Sequence, residues 1–259
     1  MRVRPCRGVA VVAWLLVASL LGGCAALGFE TADSVMKEGQ QLYADKKYDE
    51  AITKFERVLE LDSTRWLAYV YIARCYMAKG GWKLAISNAR LAYQAAPSGE
   101  NVLATLADAL LGGATASLRS GQFTEAITDF VEYIKIRPTD ARGYLGAGQA
   151  YLGAGSYAEA LNAFVRGFSN DSNGALRQDL LKGLLDGGLQ ALRQGQAKNA
   201  VPLLQEYVQQ DPGNAAGFMT LGKALIEAGY RSDALGALGR ALQLNPNQPE
   251  ATDLLRGLR

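Results

Sequence analysis

WLAYVYIARCYMAKGGWKLAISNARLAYQAAPSG, residues 66–99, is the stretch that decides how this chain folds. Tyr69, Ile72 and Tyr76, then Ala85, Ile86, Ala89 and Ala92, return three or four residues apart. That is the spacing of one helix face. Gly80 and Gly81 divide the pattern into two runs, and Pro97, which cannot continue a helix, stops the second. The stretch therefore reads as two short antiparallel helices joined by a tight turn.

The unit returns six times, in frames 32–65, 66–99, 107–140, 141–174, 181–214 and 215–248. One alanine early in each second helix marks the register: Ala51, Ala85, Ala126, Ala160, Ala200 and Ala234. Crossing helices approach closely only over a small side chain. The first helices meet the same demand with Gly39, Ala73, Ala114, Gly148, Gly188 and Gly222. Five units place a glycine at the turn, where a helix end favours left-handed backbone, and Lys46 takes that place in the first. Pro97, Pro138, Pro212 and Pro246 close four units, while Ser63 and Ser172 stand at the other two and are positioned to cap the next helix.

This pattern resembles the tetratricopeptide repeat, whose 34-residue signature runs W-x2-L-G-x2-Y, then A-x3-F, then P. The resemblance implies an all-α fold, a right-handed superhelical α-solenoid of six helix hairpins. Residues 249–259, with Ala251, Leu254, Leu255 and Leu258 on one side, read as an amphipathic helix capping the last hairpin, as open-ended arrays require.

The alanine column advances by 34, 41, 34, 40 and 34 residues, so the units come in pairs. The extra segments, 100–106 and 175–180, contain no proline and extend an apolar pattern through Val102, Leu103, Leu106, Leu176 and Leu180. The spacing predicts first helices lengthened at their N-termini, over about 101–120 and 175–194, capped by Ser98 and by Ser172 or Asn173. Repeats 3 and 5 also share Leu110-Leu111 with Leu184-Leu185, and Glu132-Tyr133 with Glu206-Tyr207, as duplication of a two-repeat module would leave them. Pro202, inside the second helix of repeat 5, is expected to bend it.

The first 23 residues follow the plan of a signal peptide: Arg2, Arg4 and Arg7, an apolar run from Gly8 to Leu21, then Gly22-Gly23 before Cys24. That run is shorter than the roughly 20 residues a spanning helix needs. Leu21-Gly22-Gly23-Cys24 resembles a bacterial lipobox, which implies that Cys24 is acylated and becomes the N-terminus, with 24–31 as a lipidated tether. By the same resemblance, Ala25 after that cysteine suits sorting to the outer membrane, facing the periplasm. The plainer alternative is an ordinary cleaved leader with a cysteine near its end. Two or more acyl chains anchor a protein firmly where one does not.

Composition narrows the chemistry. The chain has no histidine, which removes imidazole bases, histidine metal ligands and every Ser-His or Cys-His nucleophile. Without the leader's three arginines, 24 basic groups face 25 acidic ones, so there is no global field for nucleic acid. No phosphate loop, carboxylate pair or metal cluster is legible, and no cofactor or catalytic activity is expected. Cys75 reads as a small packing residue.

In the family this chain resembles, the first helices line the inner face on which protein segments dock. Carried over position by position, one row holds Met36, Val70, Leu111, Leu145, Leu185 and Met219, and a second Tyr43, Met77, Leu118, Leu152, Leu192 and Ile226. Between them lie Gln40, Arg74, Thr115, Gln149, Leu189 and Lys223. The face is apolar with scattered cations, suited to a partner helix or an apolar segment carrying a few acids. In a tightly wound array the same rows would be partly buried between repeats. Arg74, Arg142, Lys182 and Lys223 are candidates for a basic track, with a solvated charged face as the alternative. The expected function is an outer-membrane-anchored scaffold that docks envelope proteins, similar in plan to pilotins of type IV pilus secretins and other envelope-assembly repeat lipoproteins. The alternative is a polysaccharide or peptidoglycan binder using Tyr43 and Tyr71.

Overall fold

The structure is a computed structural model that describes residues 30–258. The segment expected to be a leader, the expected acylation site Cys24 and the expected tether up to residue 29 lie outside the described residues. Among those described there are thirteen helices and no strands.

The chain divides into two compact units after Val102. The first contains α1 (Ala32–Ala44), α2 (Tyr48–Leu61), α3 (Trp66–Ala78) and α4 (Trp82–Ala95). The second, from Leu103 on, comprises α5 (Val102–Arg119) except its first residue, which belongs to the first unit, and α6 (Phe123–Ile136), α7 (Ala141–Gly153), α8 (Tyr157–Asn170), α9 (Arg177–Arg193), α10 (Ala197–Gln210), α11 (Ala215–Glu227), α12 (Arg231–Leu244) and α13 (Pro249–Gly257). Within each unit helices pack on neighbours in sequence, and some also on the next but one, as α1 does on α3 and α7 on α9. That is the stacking of an all-α solenoid, in which each hairpin buries its apolar face only against its neighbours.

All six register alanines are fully buried. Opposite them the first helices come so close that a Cβ at Gly148 would stand 2.5 Å from the Phe164 ring, and one at Gly222 2.7 Å from the Leu238 side chain. The turns take left-handed backbone, with Gly80 at φ 75° and Lys46, which lacks glycine's freedom, held at φ 61°.

At the junctions between pairs the first helices are longer than their neighbours, 18 residues in α5 and 17 in α9 against 13 in α7. Helix α5 begins at Val102, behind Asn101 at φ 62°, and α9 begins at Arg177 because Gly174, at φ 69°, spends the intervening residues on a turn. Asn173, not Ser172, closes that turn by accepting from the Ala175 N–H at 3.0 Å, and Asp171 accepts from the Leu176 N–H at 3.0 Å. Before α3, Asp62 rather than Ser63 holds the loop, accepting from the Thr64 N–H at 3.0 Å. The reason is reach: an aspartate one residue earlier places its carboxylate over the N–H two residues on. Helix α10 runs unbroken through Pro202, which faces solvent, so the lost backbone donor leaves its carbonyl partner open to water.

Candidate functional site

In the first unit the inner rows fall on α1 and α3. Met36, Gln40, Tyr43, Arg74 and Met77 are half-buried. Val70 is not part of this surface: it is fully buried, packed with Ala92 and Val102. Tyr43 meets Tyr71 edge-on, with ring centroids 5.5 Å apart, and Tyr71 stacks on the buried ring of Phe55 at 5.0 Å. Burial pushes the Tyr43 phenol above its ordinary value.

In the second unit Leu111, Thr115, Leu118, Leu145, Leu185, Leu189, Leu192, Met219, Lys223 and Ile226 are half-buried and Gln149 is exposed. Leu152 is the second correction. Helix α9 passes so close over it that a Cβ on Gly187 would lie 2.7 Å from its Cδ2, and Gln190 donates to its backbone carbonyl at 3.1 Å. The Thr115 hydroxyl is turned inward, donating to the Leu111 carbonyl at 2.7 Å. Each unit thus presents half-exposed apolar side chains on its first helices, interrupted at the one position where a neighbouring helix seals the row.

The basic track does not exist as a set of free cations. Arg142 is held by Asp140 at 2.5 Å, Lys182 pairs with Asp186, and Lys223 reaches Glu250 of α13 at 2.6 Å. Arg74 is different, with its guanidinium carbon 5.7 Å from the centroid of the Tyr71 ring. Cys75 is fully buried, and burial pushes its thiol up to about 11, which makes it a poor nucleophile at neutral pH.

Two tyrosines have a role the sequence pattern did not reveal. The Tyr133 hydroxyl donates to Asp140 Oδ2 at 2.5 Å, and Asn214 Nδ2 donates to the Tyr207 hydroxyl at 2.9 Å. Each ring packs over a glycine of the next first helix, where a Cβ would come within 2.7 Å at Gly143 and 2.5 Å at Gly217. Burial together with the Asp140 carboxylate pushes Tyr133 up to about 12, while the Arg142 guanidinium holds Asp140 down at about 2. The available signal was a shared seven-residue spacing between tyrosine and an amide or acid, seen in repeats 3 and 5. Both pairs brace the loop between repeats, and Tyr133, Asp140 and Arg142 also line a cleft of about 580 Å³ with Asp108, Asn170 and Asp171.

Among the described residues no three metal-ligating side chains converge, and no helix is long and apolar enough to cross a membrane.

No curated protein matches the chain at a significant level. Among solved structures, a chain of the Naa15/Naa10 complex bound to HypK-THB is 15% identical, with a TM-score of 0.54, over 88% of this chain and 34% of the other. The protein thus spans about a third of that relative. YrrB, described as a TPR protein with an unusual peptide-binding site, is 19% identical over 86% of this chain and 90% of its own, with a TM-score of 0.39. MamA from Desulfovibrio magneticus RS-1 is 15% identical over 71% and 97%, with a TM-score of 0.45. At 15% identity the likeness to the Naa15/Naa10 chain is one of fold alone. Sequence models of the tetratricopeptide repeat match residues 36–100, 111–174 and 191–258, well over half of the chain taken together. With the register alanines buried where its helix hairpins cross, the chain belongs to the tetratricopeptide repeat family.

Proposed function

We propose that the protein is a periplasmic scaffold, anchored to the outer membrane through Cys24, that docks partner proteins on the inner faces of its two units during envelope assembly. Tetratricopeptide repeats are protein-interaction modules, and the observation that carries the reading is the half-exposed apolar row on the first helices. Met36 and Met77 in the first unit and Leu111, Leu145, Leu185 and Met219 in the second are half-buried, most of them packed on the core from one side, and the part of each side chain left accessible is apolar surface that a partner can cover. Methionines at positions 36 and 77 suit a surface that adapts to a partner's shape. Pilus or secretin piloting, outer-membrane protein assembly and cell-wall enzyme docking all fit a scaffold of this kind.

The anchor is tested by fractionating cells that express the Cys24→Ser protein: release into the soluble periplasm is expected, and retention on membranes places the anchor elsewhere. The docking faces are tested by Leu145→Glu and Met36→Glu, which should abolish co-purification of envelope partners while leaving the helical signal intact.

A second reading, polysaccharide or peptidoglycan binding, draws on the contacts among Tyr43, Tyr48 and Tyr71. Retention on a glycan resin that is lost with Tyr43→Ala supports it, whereas absence of retention of the parent protein rules it out.

A further inference from the structure

Within the first unit, α1 and α3 gather a small aromatic cluster around one cation. Tyr71 is fixed on two sides, by the Phe55 ring stacked at 5.0 Å and by the edge-on Tyr43 at 5.5 Å, and Tyr43 in turn meets Tyr48 at 5.8 Å. Arg74, one turn further along α3, holds its guanidinium 5.7 Å from the centroid of the immobilised Tyr71 ring. A guanidinium is planar and weakly hydrated, so an aromatic face orients it without removing its capacity for in-plane hydrogen bonds.

Four other cations of the first unit have counter-ions of their own. Lys54 pairs with Glu38 at 2.6 Å, Arg57 with Glu30 and Glu60 at 2.8 Å each, Arg65 with Asp33 at 2.9 Å and Asp62 at 2.7 Å, and Lys79 with Asp49. Half-buried Arg74 has no carboxylate at ion-pair distance among the described residues. A partly desolvated cation without a counter-ion is costly unless something supplies the anion. Met77, on the same face of α3, and Met36 on α1 add apolar surface to this face.

We infer that Arg74, held on the Tyr71 ring, is the anchoring point for a carboxylate of a docked protein segment, and that this segment carries an aspartate or glutamate flanked by apolar side chains. The inference rests on the docking reading of the inner face and adds the partner's chemistry to it. The guanidinium fork donates two parallel hydrogen bonds to a carboxylate, and the methionines take the apolar neighbours. A lysine at this position would supply charge without the fork and would not stack.

The test selects a displayed library of random dodecapeptides on the full chain in detergent micelles, then measures binding of the enriched peptides by fluorescence anisotropy. Arg74→Gln, Arg74→Lys, Met36→Ala with Met77→Ala, and the distant control Arg193→Gln are compared, each first matched to the parent by its melting curve. Enrichment of an acid between apolar residues is expected. Arg74→Gln and replacement of the peptide's acid by its amide should each weaken binding about tenfold or more. Combining them should weaken it no further, with Arg74→Lys intermediate and Arg193→Gln unchanged. Enriched peptides that lack an acid, or bind Arg74→Gln as well as the parent yet are weakened by the methionine changes, overturn the Arg74 anchor and leave the docking face standing. Absence of enrichment, or binding indifferent to all these changes, overturns the docking reading and the anchor together.

Discussion

Gly148→Ala adds one methyl group at a helix crossing, and the structure fixes both the sign and the size of its effect. The new Cβ would stand 2.5 Å from Phe164 Cε1 and 2.7 Å from Cδ1, where carbon atoms rest at about 3.5–4.0 Å. Phe164 is fully buried, and the same ring tip lies against Gly183 of α9, where a Cβ would be 2.6 Å from Cε1. The ring has little room to retreat, so α7 and α8 must part. Overpacking of this kind costs about 1–3 kcal/mol, against which the better helix propensity of alanine returns about 0.5–1 kcal/mol. The net expectation is a loss of about 1–2 kcal/mol, a melting temperature lower by roughly 2–8 °C in a chain of this size. Gly236→Ala in α12 is the matched control, because a Cβ there meets nothing within 4 Å. Only the propensity gain remains, and stability should rise by about 0.5–1 kcal/mol. Urea and thermal unfolding followed by far-ultraviolet circular dichroism, with hydrogen exchange of α7–α9 amides to localise the effect, read both variants. A Gly148→Ala protein as stable as the parent, or two variants shifting in the same direction, refutes the packing.

Three further outcomes follow from the same geometry. Ala126→Leu, at a fully buried register position, should cost about 1–3 kcal/mol in urea unfolding; an unchanged midpoint would put the crossing elsewhere. Asp140 titrates near 2 when folded against 3.8 ordinarily, so the unfolded chain binds more protons as pH falls between those values. Its stabilising contribution, about 1–2 kcal/mol after solvent screening, is therefore present above about pH 4 and lost toward pH 2, and Asp140→Asn should remove that part of the acid sensitivity. Tyr133→Phe should cost about 1 kcal/mol by deleting the hydroxyl that donates to Asp140, measured by the same unfolding curves.

The repeat architecture was legible because its cause is local and periodic. Small residues at Ala51, Ala85 and their counterparts recur for a steric reason, and sterics of that kind leave a fixed spacing in the sequence. The loops between pairs were less legible. Whether Asn173 or Ser172 closes the turn before α9 depends on Gly174 adopting positive φ, which no apolar period encodes. The inner face was legible as a set of positions and not as a surface. Val70 and Leu152 occupy the same register places as Met36 and Tyr43, and they are buried because Ala92 and Val102 in one case, and Gly187 in the other, let neighbours close over them. Pairing was hidden for a similar reason. Nothing in the spacing of Lys223 announces that Glu250, on a separate helix, neutralises it, nor that Arg74 lacks such a partner.

The docking claim is tested most directly by photo-crosslinking in living cells, with a photoreactive residue placed in turn at inner positions Met36, Leu111, Leu145 and Met219 and at exposed second-helix positions Glu56, Glu159 and Lys198. Discrete adducts of defined mass at the inner positions, and none at the second-helix positions, are expected of a scaffold that binds partners on its first helices. Adducts confined to Glu56, Glu159 or Lys198 would show that partners engage the outer side, and would contradict it.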